Sequence, residues 1–357
     1  MTSHRVVWAI FFAAAVLAAT LPAQPSQPVG DPMFKDVRIA LRFGSEQVLI
    51  VGGEIRGAIV EDTSINKFPK ATHDASLLPG ELIYLVPAQA LNRFQFEPDT
   101  KWRVGDRWKL YRGAGPPVTV VIQSLAVILY CGGLGGYAAA IATFEGQDAA
   151  NSIAGLRASE YLATPGQELA AVSGAPLMPV EAGQGEPTRA LGQLLLSQAR
   201  GIVKNADWMI EPNTRKSLAD RTRRMNQLFL TGSRLEPEIR YSRWSPPGRA
   251  ALLFVEALWI DKSNLPLFAC DAVVEEGNAL TILWFSATQA EYMRMGEFAN
   301  NTWKLDGPTA FLNAWKIGNR CFVLSHDSGY EEFRVRLMEL VPGKGLVPVG
   351  PGFGAGC

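Results

Sequence analysis

Val118-Thr119-Val120-Val121-Ile122-Gln123-Ser124-Leu125-Ala126-Val127-Ile128-Leu129-Tyr130-Cys131-Gly132-Gly133-Leu134-Gly135-Gly136-Tyr137-Ala138-Ala139-Ala140-Ile141-Ala142-Thr143-Phe144 decides the fold. No charged residue interrupts this stretch, and it is long enough to cross a bilayer as a helix. Two features favour a buried hairpin instead. The run opens on β-branched residues, which pack well on a pleated sheet. At its centre, Gly132-Gly133-Leu134-Gly135-Gly136 reads as a turn between two apolar arms. The expectation is two adjacent buried strands, with membrane attachment through residues 118–144 as the alternative.

The surroundings agree with β structure. Residues 37–43 alternate apolar and polar as a half-buried strand should, and further strand candidates lie at 48–51, 55–60, 82–86 and 108–111. After a Pro/Gly-rich stretch from 165 to 187 the period changes. Leu191, Leu194, Leu195, Ala199 and Ile202 recur at helical spacing, and Leu218, Thr222, Met225, Leu228 and Phe229 form a second stripe ended by Gly232. Strands return at 249–260, 265–275, 279–285, 311–317, 320–325 and 332–340, separated by short turns typical of an antiparallel meander.

The sequence therefore predicts an α+β chain, predominantly antiparallel β, with two β-rich lobes joined by a helical hairpin. The expected divisions are a signal peptide at 1–23, a Pro-rich linker at 24–36, a β-rich N-terminal domain at 37–180, the helical hairpin at 181–237, an antiparallel β-rich domain at 238–341 and a flexible Gly/Pro tail at 342–357. The signal peptide is read from His4 and Arg5, the charge-free run from Val6 to Leu21 and the break at Pro22, which place cleavage near Gln24. The expected location is outside the cytoplasm, periplasmic or extracellular.

Composition narrows the function classes. Lys+Arg and Asp+Glu are equal at 34 each, so no net field draws nucleic acid to the chain. Beyond His4, only His73 and His326 are present, too few for a multi-histidine metal centre, and no metal or cofactor is expected. Either histidine could act as a general base with a distant serine, but no Gly-x-Ser-x-Gly elbow accompanies them. Ser64-Ile65-Asn66-Lys67 matches a Ser-x-x-Lys pattern without its usual companion motifs.

Two sets of residues are binding candidates. Arg215, Lys216, Arg223 and Arg224 make a basic patch suited to an anionic surface. Trp244 and Trp303, with polar or Pro neighbours, are the tryptophans placed to stack on a sugar. Cys270 and Cys321, both read into strands of one sheet, are expected to approach and form a disulfide in an oxidising compartment. The reading that results is an exported non-catalytic binding or structural cell-envelope protein of unknown ligand. A secreted hydrolase using His326 or His73 and a membrane-attached envelope protein are the alternatives.

Overall fold

The structure is a computed structural model that describes residues 31–43, 47–55, 84–87, 102–112, 116–130, 135–146, 160–165, 169, 172–173, 178–180, 186–205, 237–260, 266–289, 309–329 and 332–356. The charge-free stretch forms two strands, β5 (Val118–Tyr130) and β6 (Gly135–Phe144), paired antiparallel along their lengths as the hairpin reading expected. They complete a closed antiparallel barrel with β1 (Arg38–Phe43), β2 (Gln47–Ile55), β4 (Arg107–Tyr111) and β7 (Glu160–Thr164), in the cyclic order β5-β4-β7-β1-β2-β6. A short strand, β3 (Tyr84–Pro87), pairs with the later part of β5 and lies outside the ring.

The sequence explains why so narrow a barrel closes. Barrel width grows with strand number, so a six-stranded lumen is narrow and favours small and medium side chains beside a few large ones such as Tyr161. Ala40, Ala138, Ala140, Ala142 and Ala163 alternate inward beside Val48, Ile50, Val120 and Leu110. Trp102 and Trp108 join this lumen core edge to face, with ring centroids 6.0 Å apart. Register shifts at 51–54 in β2 and 122–124 in β5 supply the local bends that closure requires.

The barrel's outward side chains are also buried over one sector. Ile39, Leu41, Leu49, Val51 and Leu162 pack against Trp315, Ile317, Phe322, Leu324, Val335 and Leu337 of a second sheet. That sheet is formed by β14 (Thr309–Ile317), β15 (Arg320–Gly329), β16 (Glu332–Val341) and β17 (Gly345–Gly356), with the two-residue β8 (Val172–Ser173) added beside β14. The indole N–H of Trp315 donates to the Tyr111 carbonyl at 3.2 Å and joins the layers by a directed bond. A 3-10 turn at Pro32–Phe34 straps this junction, placing Phe34 edge-on to Phe322 at 5.0 Å. Asp31 caps the turn and pairs with Arg320 at 2.6 Å, and Arg320 also makes a two-toothed bond with Glu339.

A third sheet contains β10 (Glu238–Trp244), β11 (Ala251–Ile260), β12 (Pro266–Glu276) and β13 (Leu280–Gln289), extended by β9 (Met178–Val180). One face meets the second sheet through Trp244, Leu252, Phe254, Val273, Ala314, Cys321, Val323 and Leu340. The other face carries the helix α1 (Glu186–Asn205), whose Leu191, Leu195 and Ala199 lie at one-turn spacing on Ile239, Leu253, Val255, Trp259 and Ala272. The order of layers is therefore barrel, sheet, sheet, helix.

This order corrects the expected arrangement of two lobes joined by a helical hairpin. Among the described residues there is one helix, and it covers an outer sheet face while the barrel and the second sheet pack directly on each other. The stripe proposed as the hairpin's second arm, residues 213–232, lies outside the described residues. The fold is mostly antiparallel β. The expected loose tail at 342–357 is corrected too: Gly345–Gly356 forms β17, paired with β16 from Glu332 to Val341. Its Gly and Pro content hid an edge strand, a position in a sheet where Pro is tolerated.

Candidate functional site

Among the described residues the buried polar side chains are Thr164, Asp271, Asn313, Ser325 and His326. His326 lies in β15 across from Ala310 and Val335, on the face that also carries Phe322 and Leu324, and is only 6% exposed. Strand alternation turns its neighbour Ser325 to the opposite face. The Ser325 hydroxyl donates to the Arg336 carbonyl at 3.4 Å, a weak bond that keeps it within its own sheet. Asn313 is fully buried at the register shift of β14, and its side-chain oxygen accepts the backbone N–H of Ala314 at 2.8 Å. His326 and Asn313 thus share an interlayer face lined by the barrel's outer wall.

Trp244 is 1% exposed and packs near Phe254, so it presents no ring to a sugar. Its apolar body fills the layer between the two sheets, where the neighbouring Pro246 and Pro247 had pointed to exposure. His73, Ser64, Lys67, Arg215, Lys216, Arg223, Arg224 and Trp303 lie outside the described residues. Glu275 and Glu276, at the β12 end, pair with Arg249 at 3.0 Å and Arg243 at 2.8 Å, as turn-end carboxylates do.

Cys270 and Cys321 are both free thiols, which corrects the expected disulfide. They belong to different sheets: Cys270 points from β12 toward the helix layer, and Cys321 points from β15 into the layer between the sheets. Burial pushes both thiols above their ordinary range. Raised thiols are poorer sources of thiolate, so both behave as small core residues. Among the described residues no group of three or more His, Cys, Asp or Glu side chains could hold a metal ion.

One polar arrangement escaped the sequence reading. Register aligns Arg240 with Glu256, Glu256 with Asp271, and Asp271 with Ser286, which makes a continuous polar row across β10, β11, β12 and β13. The row lies on the face that carries Trp244, Phe254 and Val273 into the inter-sheet layer. Asp271 is 3% exposed. Burial raises the half-buried Glu256 carboxyl to about 7, with the Arg240 charge opposing that rise. The signal was present as lone acids inside the apolar runs 251–260 and 266–274, but only the register shows that they align.

Fold and site together define a filled six-stranded β-barrel stacked on a two-sheet sandwich, with a few buried polar side chains among its described residues. Comparison with protein-family models, curated proteins and solved structures gives no match.

Proposed function

We propose that this chain is an exported, non-catalytic binding or structural component of the cell envelope, working in the periplasm or outside the cell. The observation that carries the reading is the placement of His326: a general base must reach its substrate, and this imidazole lies in the packed layer between barrel and sheet. Export is supported by the pattern of residues 1–23. A stack of packed layers suits a structural or binding role. The anionic-surface form of the reading assigns that contact to Arg215, Lys216, Arg223 and Arg224, with Trp303 as a stacking residue.

Co-sedimentation with isolated envelope fragments tests this. Wild type and His326→Gln should sediment alike, because the histidine packs and does not react. Replacing the four basic residues with Gln should weaken sedimentation, and added salt should weaken it for the wild type. A folded His326→Gln protein that has lost a hydrolytic activity shown by the wild type would replace this reading with the hydrolase one.

A further inference from the structure

We propose that Glu256 is a proton-operated latch between the two C-terminal sheets: neutral, it packs within the layer; ionised, it brings charge into that layer and loosens the β10–β13 sheet. The geometry that carries this is its place in the middle of a central strand. On its own face Glu256 stands between Phe254 and Leu258, which are 3% and 0% exposed, and across the ladder it meets Arg240 on one side and Asp271 on the other. Loss of water disfavours the charged form of a carboxyl placed among such neighbours.

Both sheets carry charged residues on the faces that meet in this layer. Its own sheet contributes Arg240 and Glu238 from β10 and Asp271 from β12. In the facing sheet, the half-buried Arg336 of β16 occupies the face shared with Met338 and Leu340, and Arg334 on the same face is exposed. Burial is the main cause of Glu256's raised proton affinity, and Arg240 offsets it only in part. The folded chain therefore holds this proton more tightly than the unfolded chain. The stabilisation is complete below the ordinary value of 4.5 and is lost as pH rises through about 7.

Infrared spectroscopy of the full chain tests the latch through the C=O stretch of a protonated side-chain carboxyl. Wild type should show this band at acid pH and lose it with a midpoint near 7. Glu256→Gln, which mimics the neutral form, should lack that titrating band. Its melting temperature should stay level from about pH 5 to about pH 9, while that of the wild type falls by several degrees. Absence of a carboxyl titrating near neutrality in the wild type would overturn the proposal, whether or not the variant folds. A titrating band that persists in folded Glu256→Gln would overturn it as well.

Discussion

Gly345 and Gly318 both adopt left-handed backbone, with φ of 78° and 60°, yet substitution should affect them differently. A Cβ on Gly318 meets nothing within 4 Å, whereas one on Gly345 comes within 2.7 Å of the Trp284 ring. Gly318→Ala should therefore cost about 1 kcal/mol of backbone strain, and Gly345→Ala about 2–4 kcal/mol because overpacking adds to it. Denaturant titration of the two variants checks the order, and equal losses would mean that Trp284 yields without cost. Much at this scale was legible from the chain. Gly318-Asn319 reads as a turn, and residues 318 and 319 do form one. Less legible was which face each residue serves. Trp244 looked exposed because its neighbours are polar or Pro, but strand alternation set its ring inward regardless of them. Cys270 and Cys321 failed for the same reason: composition places both in strands, whereas the sheet and the face are tertiary facts.

At the scale of elements, the strands were legible where β-branched runs ended at turn residues, and the alanine-rich arm of β6 was legible because a glycine-rich stretch of sequence precedes it. The alternation in β1 implied one wet face, but closure of the barrel buries Ala40 inside and Ile39 and Leu41 outside. Alanine there reflects a narrow lumen, a cause that no local pattern displays. The C-terminal strand was the least legible element, since its glycines and prolines mask an edge position. Tyr137 anchors that strand to the barrel: its hydroxyl donates to the Gly354 carbonyl at 2.7 Å and accepts the Gly354 N–H at 3.0 Å. Tyr137→Phe should cost about 1–3 kcal/mol, since it leaves two half-buried backbone groups without this partner. Faster hydrogen exchange confined to the end of β17 would confirm the anchor. Unchanged exchange at Gly354 would show that strand pairing alone holds it.

Across the whole molecule, three interlayer cores and the barrel lumen turn separate sheets into one stack. The expectation of two lobes missed this because contacts between barrel and sheet join residues far apart in the chain. Phe322 tests the joint. It is 1% exposed, lies edge-on to Phe34 and has the Arg320 guanidinium 5.1 Å from its ring centre. Phe322→Ala should lower stability by about 3–5 kcal/mol, and a loss below about 1 kcal/mol would mean that the layers barely support each other. The central functional claim, an exported envelope component, is tested most directly at the N-terminus. Mass spectrometry of the chain recovered from the envelope or secreted fraction should find cleavage near Gln24. Recovery of intact chains beginning at Met1, confined to the cytosol, would contradict it.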